Sequence, residues 1–269
     1  MIFKRIPLDN EDENIYLDAY IADPTEGFTR NAILVIPGGA YSFVCSGREG
    51  EPVAMAFIPY GYNAFVLHYS VASVNKRTFP SQLIEASKAM KHIKDNANEY
   101  NIDPERVFAT GFSAGGHLCA SLGILWHLKE IYDAVDMPYG YNKPTGIMPI
   151  YPVITSNGHV GSFYNLFGTQ ELTEEQIYQG SLENHVTKDS SPAFIVHTSN
   201  DQAVTVKNSL KLANAYADAG MMFEMHIYPD APHGIALANK ITKGSNEKFD
   251  NKEIAKWVEH AVAWAESIK

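Results

Sequence analysis

Ile15, Leu17, Ala19 and Ile21 alternate with Tyr16, Asp18 and Tyr20, the period-two spacing of a strand with one buried face. Together with Phe3–Leu8 before the acidic turn, this predicts an N-terminal hairpin. The next runs differ in character. Ala32–Ile36, Ala64–Tyr69, Arg106–Thr110, Gly146–Ile150 and Ala193–His197 are rich in apolar and β-branched residues with little alternation, as strands buried on both faces of a parallel sheet are. Phe223–Tyr228 predicts the last strand. Between the strands the period lengthens to three and four. Leu83, Ala86, Met90, Ile93 and Ala97 line one helix face, and Val206, Leu210, Ala213 and Ala217 line another, stopped by Gly220. Ile254, Trp257, Val258, Ala261 and Trp264 line a closing helix, and Glu51–Ile58 and Gly116–Leu122 are also expected to be helical. Strands alternating with helices predict an α/β domain on a mostly parallel eight-stranded sheet with helices on both faces. Roughly residues 155–190 fit no core element and read as a short insertion. With no repeat, low-complexity tract or linker, residues 1–269 read as one domain.

Composition narrows the partners. An apolar content of 45% is ordinary for a globular protein. A formal charge of −10, from 21 basic and 31 acidic residues, argues against nucleic acid or an anionic membrane. No apolar stretch approaches the roughly 20 residues of a membrane span. Met1–Arg5 leads quickly into the acidic Asp9–Glu13 run with no apolar segment of a signal peptide. Cys45 and Cys119 lie far apart, which suits a reducing compartment without a disulfide framework. A cytoplasmic location is therefore expected; whether the chain forms a homodimer is left open.

The candidate chemistry sits where strand turns into helix. Arg106–Thr110, then Gly111-Phe112-Ser113-Ala114-Gly115, then Gly116–Leu122 give strand, G-x-S-x-G turn and helix. That geometry presents a serine hydroxyl on a sharp, strained turn, with glycines where side chains would collide with strand and helix. A serine becomes a nucleophile only when a base takes its proton and a third group orients that base. In chain order the partners should follow as acid and then histidine. His226 lies within a strand and His260 within a helix, whereas His233 stands on a loop directly after Phe223–Tyr228. His233 is the expected base. For the acid, Asp201 follows Ala193–His197 through Thr198-Ser199-Asn200, at the strand end where such sheets place their sites. Asp230 is too close to His233 in sequence and Asp218 falls on an exposed helix side, leaving Asp201. Donors for a developing oxyanion are expected from the N–H of Ala114 and from the loop Pro37-Gly38-Gly39-Ala40-Tyr41, with Gly39 and Ala40 foremost.

The other histidines have plainer readings. His68 and His197 are expected as core residues, His117 as a packing or supporting residue, and His159 and His185 on the surface. Cys45 has two readings, a thiol site near the Pro37–Tyr41 loop and a small buried apolar residue, of which the second is favoured. No cluster has metal-ligand spacing, and Gly38-Gly39 lacks the lysine of a phosphate loop, so neither a metal nor a cofactor is expected.

Five segments in order carry a resemblance: Pro37-Gly38-Gly39-Ala40-Tyr41, Gly61-Tyr62 with Phe65-Val66-Leu67 and Tyr69, Gly111–Leu118, Ser199-Asn200-Asp201 with Val204, and Pro232-His233-Gly234. From about Ala32 onward the chain resembles the α/β-hydrolase esterases related to acetylxylan and feruloyl esterases and, more distantly, the hormone-sensitive-lipase group. The resemblance implies an α/β-hydrolase fold, Ser113 as nucleophile, Asp201 and His233 as its partners, and oxyanion donors at Gly39, Ala40 and Ala114. One departure matters: the lipase-like branch carries His-Gly-Gly-Gly, and here Pro37 replaces the histidine while Ala40-Tyr41 closes the loop. This favours hydrolysis of short acyl esters, foremost acetyl groups on sugars or xylo-oligosaccharides, over a hydrophobic lipase. Tyr41 and Phe163 are expected to form one wall for the acyl or sugar group. Two other readings stay open: a peptidase of the prolyl-oligopeptidase type, whose large N-terminal domain has no counterpart here, and a hydrolase fold serving as a binding protein.

Overall fold

The computed structural model describes residues 1–268. Eight strands form one sheet: β1 (Ile2–Pro7), β2 (Tyr16–Ile21), β3 (Arg30–Ile36), β4 (Tyr62–His68), β5 (Ile102–Phe112), β6 (Ile147–Ile150), β7 (Ala193–Thr198) and β8 (Phe223–Tyr228). Their order is β1-β2-β4-β3-β5-β6-β7-β8. β1 pairs antiparallel with β2 and β2 antiparallel with β4, and every later pairing is parallel. The hairpin forms one edge of the sheet and β8 the other, and β1 is exposed along most of its length. The parallel strands from β3 to β7 are buried on both faces, which is why their sequences do not alternate.

Helices cover the two faces and separate two apolar layers. On one face, the Ser81–Asp95 and Ala114–Ile124 helices pack Leu83, Met90, Leu118 and Leu122 against Leu34, Ala109 and Ile147. On the other, the Trp257–Ser267 helix packs Trp257, Ala261 and Trp264 against Phe108, Met148 and Phe194. The Lys207–Asp218 helix departs from the expected stripe. Leu210 is 42% exposed, while Asn208, Ser209, Leu212, Ala213 and Tyr216 are buried. The helix is rolled because its two buried polar residues have partners: Asn208 Oδ1 accepts the Ile154 and Thr155 N–H groups, and Ser209 Oγ meets His197 Nδ1 at 2.7 Å. The 155–190 segment contains helices at Val160–Phe167 and Glu174–Gly180, and so carries more structure than its pattern suggested.

The strand–turn–helix junction is packed to backbone contact. A Cβ on Gly115 would lie 2.2 Å from the Ile36 carbonyl oxygen and 2.3 Å from that of Pro37, and one on Gly111 would lie 2.2 Å from the Gly115 oxygen. The end of β3 and the start of the helix therefore touch main chain to main chain, with no flexible side chain to yield. Gly115→Ala is expected to cost about 3 kcal/mol in urea unfolding, the upper range for overpacking. A loss near zero would show that the end of β3 moves away freely.

Candidate active site

The four segments of the site all leave C-terminal ends of parallel strands. Pro37–Tyr41 follows β3, Ser113 follows β5, Asp201 follows β7, and His233 follows β8. Ser113 has φ 53° and ψ −118°, a left-handed conformation that is costly for a residue with a side chain. The turn is strapped in place: Ser113 N–H donates to the Ile150 carbonyl, and its own carbonyl accepts from the His117 and Val153 N–H groups.

The structure brings Ser113, His233 and Asp201 into one hydrogen-bonded line. His233 Nε2 lies 2.9 Å from Ser113 Oγ, and Nδ1 lies 2.7 Å from Asp201 Oδ2. A carboxylate accepts, so Nδ1 carries the proton, and Nε2 is left free to accept from the serine. The other oxygen of Asp201 accepts the Ala203 and Val204 N–H groups, both at 2.9 Å. Burial alone would raise the Asp201 pKa, but the hydrogen bonds from His197, His233 and Val204 outweigh it and hold the carboxyl well below the usual range. His197 is fully buried as expected, yet it is also a neighbour of the acid: Nε2 donates to the Val204 carbonyl at 2.9 Å and lies 3.5 Å from Asp201 Oδ2.

Gly39, Ala40 and Ala114 have main-chain N–H groups with no acceptor among the described residues. Gly39 and Ala40 line the same cavity as Ser113, and Ala114 is the residue after it. The cavity measures about 270 Å³ and is also lined by Phe43, His159 and His233.

Tyr41 and Phe163 are corrected: neither lines this cavity, and each is only 1% exposed. Ala40 and Tyr41 are consecutive left-handed residues, at φ 54° and 56°, and the double turn sends the Tyr41 ring inward. Its hydroxyl donates to His117 Nδ1 at 2.8 Å, while His117 Nε2–H donates to the Gly180 carbonyl at 2.8 Å. Phe163 packs against the same imidazole, with ring centroids 5.7 Å apart. The aromatic ring at the mouth belongs instead to Phe43, which is 56% exposed. His159 and Cys45 are corrected as well: both are half-buried cavity residues rather than surface and core.

Sequence reasoning missed Glu49 and Tyr151. Glu49 is buried beside the cavity; Oε2 accepts the Gly38 N–H at 2.8 Å, and Oε1 accepts the Tyr151 hydroxyl at 2.9 Å. Tyr151 O in turn accepts the Ala236 N–H at 2.9 Å, and its ring packs edge-on against His233. One carboxyl thereby ties the glycine loop to the histidine loop. Burial pushes the Glu49 pKa up, and the bonds from Gly38 and Tyr151 only partly offset it. Arg48 anchors the histidine loop from another side, donating to the Gly234 and Thr242 carbonyls. Glu49 stands in the polar stretch Ser46-Gly47-Arg48-Glu49-Gly50-Glu51, so nothing local marked it as buried or named its partners.

The buried histidines give the fold an acid limit. Burial, the leading cause, holds the His117 imidazole down to about 4 against an ordinary 6.5. The unfolded chain therefore binds a proton below pH 6.5 that the native state refuses, so stability falls as pH drops from 6.5 toward 4. For His117 this amounts to roughly 2 kcal/mol by pH 5. Glu49 and Glu85, both raised by burial, act in the opposite sense. The loss in unfolding free energy from pH 7 to pH 5 should therefore shrink in His117→Gln; an equal loss in both proteins would remove His117 as its source.

Among the described residues no three His, Cys, Asp or Glu side chains are placed to hold a metal ion, and no helix is long and apolar enough to cross a membrane.

Comparison with known proteins places this arrangement. The BD-FAE family model matches residues 17–216, which run from β2 through the Ser113 turn and Asp201. The chain belongs to the BD-FAE family. It is 38% identical over 215 residues to endo-1,4-beta-xylanase B of Butyrivibrio fibrisolvens, covering 78% of this chain and 33% of that protein. It is 28% identical over 215 residues to an acetylxylan esterase of Xylanibacter ruminicola, covering 77% of this chain and 41% of that one. The chain thus spans between a third and somewhat over two fifths of these curated relatives. Among solved structures, the acetyl ester-xyloside bifunctional hydrolase of Caldicellulosiruptor lactoaceticus aligns with TM-score 0.82 at 31% identity, covering 98% of this chain and 96% of that one. The carboxylesterase Cest-2923 of Lactobacillus plantarum aligns with TM-score 0.85 at 25% identity, covering 99% and 97%. The fold of this BD-FAE member is that of an α/β-hydrolase.

Proposed function

We propose that the chain is a serine carboxylesterase that removes short acyl groups, foremost acetyl, from sugars or xylo-oligosaccharides. The carrying observation is the line from Ser113 Oγ through His233 to Asp201, at 2.9 and 2.7 Å. In this reading His233 Nε2 takes the Ser113 proton as Oγ attacks the ester carbonyl. The N–H groups of Gly39, Ala40 and Ala114 receive the oxyanion, each such donor being worth about 3 kcal/mol. His233 then returns the proton to the departing sugar oxygen, leaving an acyl-serine. Water attacks that ester with the same histidine as base, and the freed acid leaves with Ser113 restored.

Cavity size and rim support the substrate class. About 270 Å³ bounded by Gly39, Ala40 and His159 suits a small acyl group, and the exposed face of Phe43 at the mouth suits the apolar face of a sugar ring. The names carried by the xylanase, acetylxylan esterase and acetyl ester-xyloside hydrolase relatives point the same way. The test is hydrolysis of p-nitrophenyl acetate, butyrate and octanoate and of acetylated xylo- and manno-oligosaccharides, beside Ser113→Ala. Acetate should exceed octanoate at least about tenfold in kcat/KM, because a cavity of about 270 Å³ leaves little room for added methylenes. Equal inactivity of both proteins on every ester would overturn the esterase reading, and a preference for octanoate would overturn its short-acyl part.

A further inference from the structure

A second cavity adjoins the first across one hydrogen bond. It measures about 430 Å³, and Lys76, Thr78, Tyr164, Asn165, Thr169 and Gln170 are among its walls. Asn165 is the dividing wall: its Nδ2 donates at 2.8 Å to the Ala40 carbonyl, and Ala40 lines the cavity of Ser113. The Val160–Phe167 helix runs beneath both, with His159 before it in the first cavity and Gly168 after it in the second. At 1.5 Å per residue those nine steps cover about 13 Å, the reach of a short chain of linked sugar rings.

Resting on the esterase reading above, we infer that this second cavity is a subsite for the glycan chain that carries the acyl group. Its chemistry is that of polyol recognition. The Tyr164 and Thr78 hydroxyls, the Gln170 amide and the Lys76 ammonium have no hydrogen-bond or ion-pair partner among the described residues. They stand around one half-buried aromatic ring, so a sugar would find an apolar face for its C–H groups and donors for its hydroxyls. The other cation in the wall, Arg77, is already paired with Asp9 and Glu85, so of the two only the Lys76 ammonium is left to donate to a ligand oxygen. Part of the wall is also held in place before any ligand arrives. The Phe79 N–H donates to the Leu166 carbonyl at 2.8 Å, the Phe79 and Phe167 rings pack at 5.8 Å, and Gly168 leaves just room for the Thr78 methyl. A pre-formed wall loses little freedom on binding.

The experiment separates this inference from the esterase reading by measuring binding without turnover. Unacetylated xylo-, manno- and cello-oligosaccharides of one to four units are titrated by calorimetry into Ser113→Ala and into Ser113→Ala carrying Tyr164→Ala and Gln170→Ala. For at least one series, the four-unit chain should bind the parent at least about tenfold tighter than the monosaccharide, and the added substitutions should erase that gain. Tyr164→Phe in place of Tyr164→Ala should restore most of it, which a general loss of folding would not allow. The inference is overturned if affinity is independent of chain length in all three series, or if the gain survives both substitutions. Hydrolysis of p-nitrophenyl acetate by the unsubstituted protein reports separately on the esterase reading.

Discussion

Ser113→Ala is expected to lower kcat on p-nitrophenyl acetate by roughly 10^5-fold while leaving the fold intact. The side-chain oxygen has one partner, His233 Nε2 at 2.9 Å, so its removal costs no other contact. The left-handed backbone at φ 53° is set by the main-chain bonds to Ile150, His117 and Val153, and alanine would sit there as serine does. The melting temperature should consequently shift by no more than the degree or two of a neutral surface change. A residual rate above about one percent would point to another nucleophile within the cavity. Cys45 is the thiol that lines it, but burial, with Glu49 close by, pushes its pKa up and keeps it protonated. Cys45→Ser is the control that closes that route.

Asp201→Asn should lower kcat by about 10^4-fold, again without unfolding the chain. Both oxygens of Asp201 accept: Oδ1 takes two main-chain N–H groups, and Oδ2 takes His233 Nδ1–H with His197 Nε2 close behind. An amide supplies one oxygen and one NH2. With its oxygen kept on Ala203 and Val204, the NH2 faces His233 and demands the tautomer with its proton on Nε2, which cannot accept from Ser113. With the amide reversed, two main-chain donors face NH2 and the loop loses its anchor. Measured kcat beside circular dichroism distinguishes the cases; an unchanged rate would mean that a different carboxylate orients His233.

The sheet was legible because its signal is redundant: long unbroken runs such as Ala32–Ile36 and Ala193–His197 admit few alternatives, and their order dictates where the strand-end loops gather. Ser113, Asp201 and His233, which the structure brings into one hydrogen-bonded line, could be singled out because each lies on a loop after a predicted strand. What the chain did not disclose depends on geometry at single residues. The pair of left-handed residues Ala40 and Tyr41 exchanges the roles of Tyr41 and Phe43, and no spacing rule announces it. Leu210 fell on the wrong side because periodicity counts apolar residues, whereas Asn208 and Ser209 are drawn inward by hydrogen bonds. Glu49 and Tyr151 meet across 102 positions, a separation at which no local pattern carries information.

That last contact bears on transplantation. A designer who exchanged the glycine loop or the histidine loop with that of a relative would cut a shared support, since Gly38 rests on Glu49 and Ala236 on Tyr151. The graft would strand a buried carboxyl or a buried phenol, each costly without its partner. The two loops are accordingly one exchangeable cassette, and swaps that carry Glu49 and Tyr151 with them should succeed where single-loop swaps fail.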